Sequence, residues 1–487
     1  MNNFDIIVIG AGPGGYVAAV SAVKAGANSV ALIERDASQG GGLGGTCLHR
    51  GCIPTKTYLD NAETLNRIKE GSKRGVVTAS AAIDMPAAVK FKDRVVKRLS
   101  MGVGALLKSW GVEVITGNAQ VNSLDEIIVT GKDGAGQTLS CKKLILAAGS
   151  RPARVPIPGS DLPQVVTSDE ILNVQTIPPR LVIVGGGVIG VEMARIFQSF
   201  GSKVTIVEML SRLAPNLDDE VADALNKSLK SEKVAVKLGV KVESFEQGEN
   251  NSVNVVVEQN GEKERIPADM VLVAVGRTPN TESFVNLNLE MNRRFVKVDS
   301  RTFQTSNPNV FAIGDVTGLS MLAHSASVMG EFAGALAAKQ IYSPDEKVES
   351  GENLLAAVPS VVYGEPSASG VGMTEKQALD FCQANGKALL IGRCLFGGNG
   401  RAVASSMGEG FVKVLAAEAE ENKAQILGVH IFGPMASELV NEAAVLGALK
   451  LDAQSAADVM HAHPTFGEVI SIALHDALGQ SCHLPKK

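Results

Sequence analysis

Two cysteines separated by four residues, Cys47 and Cys52, are the side chains of this sequence best suited to redox chemistry. A thiol near the start of a helix is favoured as the thiolate by the unpaired amides there, so the pair could act as a switchable dithiol. In a regular helix, Cα atoms five residues apart lie roughly 8 to 9 Å from each other, whereas a disulfide needs about 4.4–6.8 Å. A bond between them therefore predicts a distorted helix start, which Gly51 and Pro54 permit. A structural disulfide and two unrelated buried thiols are the alternative interpretations of this spacing alone.

The segment before the cysteines has the order of a dinucleotide-binding fingerprint. An apolar strand is predicted over 4–9, the sequence Gly10-Ala11-Gly12-Pro13-Gly14-Gly15 follows it, and a helix is expected to about residue 25. A second apolar strand over 30–33 ends in Glu34. In this order the glycines permit a tight turn, the helix N-terminus receives a pyrophosphate, and the acid accepts a hydrogen bond from a ribose hydroxyl.

The same fingerprint occurs a second time. An apolar strand over 181–184 precedes Gly185-Gly186-Gly187-Val188-Ile189-Gly190, and the next strand, 204–207, ends in Glu208. A carboxylate at this place accepts hydrogen bonds from a free 2′-hydroxyl and repels a 2′-phosphate, so the second site favours NAD over NADP. Arg212, which follows closely, weakens that preference slightly.

Length and composition limit the class of protein. The chain has 487 residues, which suits about three domains, and its 45% apolar residues and 51 glycines suit an α/β architecture. The net charge of −5 offers no basic surface for nucleic acid. No apolar run reaches the roughly 18 residues of a membrane span, and the first strand begins too early for a signal or transit peptide, so we expect a cytoplasmic protein.

Six cysteines are too few for a disulfide framework in a chain of this length, and four of them are expected to be buried or without a role: Cys141, Cys382, Cys394 and Cys482.

Hydrophobic periodicity predicts the remaining elements. Residues 61–111 are expected to be helical, and a long helix is expected over 323–341. Strands are predicted over 112–115, 119–124, 126–130, 143–148, 271–275, 310–315, 411–415 and 427–432. Prolines just after residue 151 place a domain boundary near 152, and the polar segment 343–353 reads as a second linker.

Two longer motifs of the sequence resemble those of a known protein family. The sequence Gly45-Thr46-Cys47-Leu48-His49-Arg50-Gly51-Cys52-Ile53-Pro54-Thr55-Lys56 and the terminal His461-Ala462-His463-Pro464-Thr465-Phe466-Gly467-Glu468 resemble those of the flavin-dependent pyridine nucleotide-disulfide oxidoreductases. Supporting motifs are Ala147-Ala148-Gly149, Gly276-Arg277-Thr278-Pro279-Asn280, Ala312-Ile313-Gly314-Asp315-Val316 and Met321-Leu322-Ala323-His324. The resemblance covers essentially the whole chain and is strongest to the members that oxidise dihydrolipoamide.

The resemblance implies an α/β fold with two Rossmann-like dinucleotide-binding domains, one for FAD and one for NAD, plus a C-terminal α+β dimerisation domain. The domain boundaries implied by the resemblance are 1–152 and 278–350 for the FAD-binding domain, 153–277 for the inserted NAD-binding domain, and 351–487 for the dimerisation domain. FAD is then expected to contact Gly10, Gly12, Gly15, Glu34, Thr46, Lys56, Ala119, Gly149, Asp315, Met321, Ala323 and His324. NAD is expected to contact Gly187, Gly190, Glu208, Val242 and Gly276.

The resemblance also implies catalytic roles. Cys47 would be the thiol that exchanges with the substrate sulfur, and Cys52 the thiol that passes electrons to the flavin. His463 would take a proton from a dihydrolipoyl thiol, with Glu468 bound to its other ring nitrogen. The remaining expected catalytic side chains are an ion pair beside the flavin: Lys56 and Glu192.

Simpler interpretations exist for several of these residues. Lys56 and Glu192 could be solvated helix charges, and Asp315 could cap the following helix. His461 and His463 could form a metal pair, but two histidines without further ligands are a poor metal signal, so we expect no metal site.

The sequence also departs from the family pattern. His49 stands where Asn is common, 38–43 is a glycine-rich extension, and Tyr363-Gly364-Glu365-Pro366 and Phe466-Gly467 differ from the usual residues.

The resulting hypothesis is a dihydrolipoyl-oxidising, NAD⁺-reducing homodimer whose partners are lipoyl-bearing carrier domains of a 2-oxoacid dehydrogenase complex or a glycine cleavage system. We expect His463 of one subunit to face the disulfide of the other, and the bond before Pro464 to be cis. The alternatives are an NADPH-dependent disulfide reductase, which usually places cations where Glu208 stands, and a mercuric reductase, which needs a second cysteine pair where this chain has Cys482 alone. A non-catalytic flavoprotein scaffold that binds lipoyl carriers is a third alternative.

Overall fold

The computed structural model describes residues 2–35, 42–77, 80–343, 354–419 and 423–485. Most of the predicted extension 38–43 and of the predicted linker 343–353 lies outside these residues. Two units built around parallel strands precede a unit built on an antiparallel sheet. The predicted fold class, α/β with two Rossmann-like units and a C-terminal α+β unit, is confirmed.

The first unit is a mixed sheet around a strand that is apolar on both faces. Strand β1 (Asn2–Ile9) is buried from Phe4 onwards, as expected for a parallel strand covered on both sides. It pairs in parallel with β2 (Val30–Glu34) and with β6 (Gly136–Leu146), so the carboxyl ends of these strands meet at one edge. The sheet is completed by β3 (Glu113–Thr116), β4 (Asn118–Val121), β5 (Ile127–Thr130) and β19 (Val310–Ala312), in the order β3-β2-β1-β6-β5-β4 with β19 also paired to β6.

Helices cover this sheet and carry the redox cysteines. They are α1 (Pro13–Lys24), α2 (Gly45–Arg50), α3 (Cys52–Gly71), α4 (Met85–Ser109) and α8 (Ala323–Tyr342), with 3₁₀ turns at Ser72–Arg74, Glu282–Leu287 and Gly314–Thr317. The prediction of helix throughout 61–111 is wrong at 75–77 and 80–84, which are not helical. Asp84 caps α4 by accepting a hydrogen bond from the Ala87 amide at 3.0 Å, and Pro86 suits the first turn, so a new helix starts there.

The second unit has a parallel sheet in the order β11-β10-β9-β15-β8. These strands are β8 (Val165–Val166), β9 (Arg180–Val184), β10 (Lys203–Glu208), β11 (Ala235–Leu238) and β15 (Met270–Val273). The helices of this unit are α5 (Ser168–Ile171), α6 (Val188–Phe200) and α7 (Asp219–Ser231). An antiparallel sheet packs beside them, made of β12 (Lys241–Gln247), β13 (Val253–Gln259) and β14 (Glu262–Ala268), with a 3₁₀ turn at Glu249–Asn251.

The chain passes between the first two units twice, and the two crossings pair with each other. Strand β7 (Ser150–Pro152) is antiparallel to β16 (Arg277–Pro279). The crossings coincide with the predicted limits at 152 and 277, and the domain limits stay a prediction. A small ribbon of β17 (Met291–Asn292) and β18 (Phe295–Val296) follows.

The C-terminal unit is an antiparallel sheet flanked by helices. Its strands, in the order β20-β21-β24-β23-β22, are β20 (Ser360–Val362), β21 (Ser367–Gly372), β22 (Leu389–Leu395), β23 (Phe411–Glu418) and β24 (Ala424–Gly433). The helices are α9 (Glu375–Ala384), α10 (Gly400–Ala404), α11 (Ala436–Ala448), α12 (Ala453–Ala457) and α13 (Glu468–Ala477), with a 3₁₀ turn at Phe396–Gly398. Outside the redox pair, Cys141, Cys382 and Cys394 are buried, as predicted, whereas Cys482 is exposed.

A buried ion network joins the second unit to the third. Lys413 on β23 is 1% exposed and binds Asp218, Glu375 and Glu220, the last two at 3.0 and 3.1 Å. Burial alone would raise the pKa of the Asp218 carboxyl, but its hydrogen bonds from Lys413 and from the Glu375 amide lower it below the usual range. The network therefore fixes α7 against the C-terminal sheet.

Candidate functional site

The two cysteines form a disulfide across a break between two helices. Cys47 lies in α2 and Cys52 begins α3, and their Cα atoms are 4.7 Å apart. Gly51 between them has φ −142° and ψ −112°, outside the helical region. A Cβ at Gly51 would lie 3.1 Å from the Thr46 carbonyl oxygen, so a small residue suits this close return of the chain. The predicted distortion of the helix start is confirmed, and the interpretation as two unrelated thiols is wrong.

The first fingerprint forms an open cradle at the N-terminus of α1. Gly12 is the N-cap residue, and a Cβ there would meet no atom within 4 Å, so the glycine leaves space in front of the helix amides. Glu34, at the end of β2, accepts a hydrogen bond from the Ala11 amide at 2.9 Å. Gly10 has φ +99° and turns so tightly that an added Cβ would lie 2.4 Å from the Ala147 carbonyl oxygen. The cradle suits a phosphate at the helix end and a hydroxyl at the acid.

The second fingerprint repeats this arrangement at α6. Gly187 is the N-cap residue, and a Cβ there would also meet no atom within 4 Å. Glu208, at the end of β10, accepts hydrogen bonds from the Gly186 amide at 2.6 Å and from the Leu210 amide at 2.7 Å. Both carboxylate oxygens are therefore held by the main chain.

Arg212 has partners of its own beside this second cradle. Its guanidinium forms an ion pair with Asp219 and donates a hydrogen bond to the Pro215 carbonyl oxygen at 3.0 Å. These contacts hold the cation at the start of α7.

One cavity of about 1340 Å³ connects both cradles to the disulfide. Most of the predicted site residues line it: Gly12, Gly15, Thr46, Cys47, Cys52, Lys56, Gly149, Gly187, Glu192, Glu208, Val242, Gly276, Asp315, Met321, Ala323 and His324. Gly10 and Gly190 instead serve the turns, since a Cβ at Gly190 would lie 2.0 Å from the Gly185 carbonyl oxygen. Glu34 lies behind its cradle, and Ala119 packs on the core of the first sheet. Within the described residues, the cavity lining does not include His463 or Glu468.

Lys56 and Glu192 form an ion pair in the middle of this cavity. Lys56 Nζ lies 2.8 Å from Glu192 Oε2, and the Glu192 side chain is only 4% exposed. The interpretation of Glu192 as a solvated helix charge is therefore wrong. The pair joins α3, which begins at Cys52, to α6, which begins at the second cradle.

A group of polar side chains beside Asp315 carries roles that the sequence did not predict. Ser150 donates a hydrogen bond to Asp315 and accepts one from Arg277 Nε at 2.7 Å. Arg277 Nη2 donates to the Ser150 carbonyl oxygen at 2.7 Å, and its Nε lies 3.8 Å from Asp315. Burial lowers the pKa of Arg277, and Asp315 opposes that effect. Arg277 belongs to a motif quoted above, but its spacing alone could not show that it orients Asp315.

His463 and Glu468 form a hydrogen-bonded pair on the C-terminal unit. His463 Nδ1 lies 2.8 Å from Glu468 Oε1, and the Thr465 amide donates to Glu468 Oε2 at 2.8 Å. Burial alone would raise the Glu468 pKa, but the hydrogen bonds from Thr465 and His463 lower it. A carboxylate can only accept, so Nδ1 carries the proton and Nε2 is left to act as a base. The His463 side chain is 78% exposed, and the His463–Pro464 bond is cis, as predicted.

His461 makes a second, separate contact with a carboxylate. Its Nε2 lies 2.9 Å from Glu442 Oε1, and its Nδ1 lies 2.9 Å from the Val459 carbonyl oxygen. His461 thus braces the loop that carries His463. In the described part of the chain, no group of three or more histidine, cysteine, aspartate or glutamate side chains is arranged to hold a metal ion.

Comparison with known protein families identifies the family to which these domains belong. Residues 4–330 match the model of the pyridine nucleotide-disulphide oxidoreductases, and residues 358–474 match the dimerisation domain of the same proteins. The chain belongs to the pyridine nucleotide-disulphide oxidoreductase family. Members of this family are flavoproteins, so FAD and a pyridine nucleotide are its cofactors, and Cys47–Cys52 is its redox-active disulfide.

Similar proteins cover nearly the full length of this oxidoreductase. A dihydrolipoyl dehydrogenase from Geobacillus stearothermophilus is 35% identical over 99% of this chain and 98% of its own. The dihydrolipoyl dehydrogenase of Pseudomonas aeruginosa is 36% identical, again over 99% and 98%. Among solved structures, the HOCl-induced flavoprotein disulfide reductase RclA from Escherichia coli superposes with a TM-score of 0.80 at 28% identity, covering 97% of this chain and 99% of that one.

The residues of this oxidoreductase fit its two cofactors. Both glycine cradles keep open space before a helix N-terminus, and at each one a carboxylate at the end of the following strand is held by a main-chain amide, where it could accept a hydrogen bond from a ribose hydroxyl. FAD suits the first cradle because this cradle lies next to the helix that carries Cys47, where a Cβ added at Gly45 would lie 2.5 Å from Gly12 Cα. A pyridine nucleotide suits the second cradle. None of the helices within the described ranges is long and apolar enough to cross a membrane.

Proposed function

We propose that this oxidoreductase is a dihydrolipoamide dehydrogenase, which reoxidises protein-bound dihydrolipoyl groups and reduces NAD⁺ to NADH. The observation that carries the proposal is Glu208, whose two oxygens are fixed by the Gly186 and Leu210 amides at the second cradle. A fixed carboxylate there favours a free ribose hydroxyl and repels the 2′-phosphate that an NADPH-dependent disulfide reductase must bind. The similarity to dihydrolipoyl dehydrogenases over nearly the whole chain supports the same choice.

The chemistry begins with thiol–disulfide exchange at Cys47. His463 Nε2 accepts the proton of one dihydrolipoyl thiol, and Glu468 stabilises the resulting imidazolium through Nδ1. The thiolate attacks Cys47 Sγ and the Cys52 thiolate leaves. His463 gives this proton to Cys47 Sγ as that sulfur leaves, and accepts the proton of the second dihydrolipoyl thiol. The second thiolate attacks the lipoyl sulfur of the mixed disulfide, so the lipoyl ring closes and leaves a Cys47 thiol, a Cys52 thiolate and a protonated His463. Two electrons and two protons have passed from the dihydrolipoyl group, and the Cys47–Cys52 bond is broken.

The remaining residues pass these electrons on. FAD, when bound, supplies the two-electron carrier between the cysteines and the nicotinamide. Cys52 begins α3, where the helix N-terminus favours its thiolate. Lys56, paired with Glu192, would supply a positive charge beside the flavin and would favour the uptake of electrons there. Asp315, oriented by Ser150 and Arg277, would accept hydrogen bonds from the ribityl hydroxyls of FAD.

A homodimer completes the proposed site. Within the described residues, the cavity that holds Cys47 is lined without His463, although the base must reach a thiol bound at Cys47. The His463 ring is mostly exposed on the dimerisation domain. The partner subunit's His463 would therefore face this chain's disulfide, leaving a channel for a lipoyl arm between the subunits.

The proposed partners are lipoyl-bearing carrier domains. To identify them, purified holoenzyme would be assayed for NADH formation with reduced lipoyl domains from 2-oxoacid dehydrogenase complexes and from a glycine cleavage system. We expect turnover with at least one carrier, at a kcat/KM above that for free dihydrolipoamide. Turnover with NADPH and glutathione disulfide, but with no lipoyl carrier or dihydrolipoamide, would show that the proposed function is wrong.

A further inference from the structure

A tyrosine from the C-terminal unit completes the contacts of Lys56. Tyr363 follows β20, and the Lys56 Nζ atom lies 4.1 Å from the centre of its ring. The Tyr363 amide donates a hydrogen bond to Glu192 Oε1 at 3.1 Å, while Lys56 binds the other oxygen, Oε2, at 2.8 Å. One residue thus contacts both members of the ion pair, and all three line the cavity.

Each contact of Tyr363 restricts the motion of a different member of the ion pair. The Lys56 ammonium ends a flexible four-carbon chain whose side chain is 32% exposed, so one ion pair leaves it room to turn. The negative face of an aromatic ring attracts an ammonium and gives it a second, directional contact. The amide of Tyr363 meanwhile fixes the Glu192 carboxylate, which is almost fully buried and needs donors for both oxygens.

We propose that Tyr363 is a positioning residue for the flavin site, which holds the Lys56 ammonium in place with its ring face and Glu192 with its main-chain amide. The proposal deepens the proposed function, because it rests on Lys56 acting as the cation beside the flavin. It also gives the C-terminal unit a part in the electron-transfer site of its own subunit. Lys56, Glu192 and Tyr363 come from three units that meet at this point.

The chemistry of the phenol indicates that the ring, rather than the hydroxyl, makes the contact that matters. Burial raises the pKa of Tyr363, and the charges of Glu192 and Glu438 raise it further, so the phenol stays neutral at physiological pH. A phenylalanine ring would present a similar face to Lys56 and leave the amide unchanged. Tyr363→Phe should therefore behave like the natural protein, and Tyr363→Leu should not.

The test measures the two-electron reduction potential of FAD in the holoenzyme. A well-placed cation favours the reduced flavin, so Lys56→Met should lower the potential. Tyr363→Leu should lower it in the same direction but less, with the equilibrium constant for flavin reduction falling about three- to tenfold. A tenfold fall corresponds to about 30 mV for a two-electron couple. Phe91→Leu removes another ring beside a cation, Arg94 at 5.6 Å on α4, and should leave the potential unchanged.

The outcomes separate this proposal from the proposed function. If Lys56→Met lowers the potential and Tyr363→Leu does not, the role of Tyr363 is wrong while the dehydrogenase assignment stands. If Lys56→Met has no effect, both the lysine's role and the Tyr363 proposal are wrong, and the carrier assay still tests the overall reaction. If Tyr363→Leu does not retain FAD, Tyr363 would be replaced by phenylalanine bearing one, two or three ring fluorines, which keep the shape and weaken the negative ring face. A potential that falls stepwise with fluorine number supports the proposal, and a constant potential overturns it.

Discussion

Glu208 should decide which coenzyme is used, and Glu208→Gln is the most informative change. In the natural protein both carboxylate oxygens accept main-chain hydrogen bonds, at 2.6 Å from Gly186 and 2.7 Å from Leu210. Glutamine has one oxygen, so one of these amides would face an NH₂ group instead of an acceptor. The negative charge that strengthens the bond to the ribose hydroxyl is also lost, and a hydrogen bond to a charged group contributes about 1.5–3 kcal/mol.

The loss of these hydrogen bonds should change the kinetic constants for the two coenzymes. The kcat/KM for NAD⁺ should fall roughly ten- to a hundredfold, which is about 1.4 to 2.7 kcal/mol. The value for NADP⁺ should change little, because removal of the repulsion offsets the loss of the bond. The assay is NADH or NADPH formation at saturating dihydrolipoamide, with each nucleotide varied in turn.

A matched variant in the first cradle serves as the control for Glu208→Gln. Glu34→Gln changes the corresponding carboxylate of the first fingerprint, which binds the Ala11 amide at 2.9 Å. It should weaken FAD retention and leave the KM for NAD⁺ unchanged in the FAD-loaded fraction. If the natural protein prefers NADPH or NADP⁺, or if Glu208→Gln leaves the ratio of the two kcat/KM values unchanged, Glu208 does not select the coenzyme.

Three further changes test other parts of the account. Cys47→Ser should retain FAD and flavin reduction by NADH but lose all turnover with dihydrolipoamide; failure of NADH to reduce the flavin of a folded variant would contradict the division of roles. Co-expressed Cys47→Ser and His463→Gln subunits should give mixed dimers with up to half of normal activity, since one site is intact; activity no higher than that of either parent would mean that each subunit uses its own histidine. Asp218→Asn should lower the free energy of unfolding by about 1.5–3 kcal/mol near neutral pH, because the buried Lys413 loses one charge-assisted hydrogen bond but keeps Glu375 and Glu220. The folded pKa of Asp218 is depressed, so this stabilisation is present above its unfolded pKa and is lost as the pH falls through the folded value. Denaturant titrations should show the two proteins converging below about pH 4, and a gap that persists in acid would contradict the role of the ion pair.

Local patterns in the sequence were enough to predict the parts of the site that are local in the chain. Each fingerprint places its strand, glycines, helix and acid within about thirty residues, a span in which spacing determines geometry. The break at Gly51 was also predictable, because two cysteines so spaced cannot bond across a regular helix.

Contacts between distant segments were harder to predict. Tyr363 reaches Lys56 from more than three hundred residues away, and Arg277 reaches Ser150 only because β7 pairs with β16. No periodicity within either segment encodes such a contact. The helix predicted throughout 61–111 failed for a different reason, since the cap at Asp84 overrides a hydrophobic pattern that continues on both sides.

The central claim is that dihydrolipoyl electrons enter at Cys47–Cys52 and leave on NAD⁺. Its most direct test is an anaerobic single-turnover experiment in which one equivalent of a reduced lipoyl domain is mixed with the holoenzyme and excess NAD⁺. About one NADH should form per dihydrolipoyl group consumed, with no product when Cys47→Ser replaces the natural protein and little product when NADP⁺ replaces NAD⁺. If the natural holoenzyme oxidises no dihydrolipoyl group, or if NADPH forms more readily than NADH, the proposed route of the electrons is wrong.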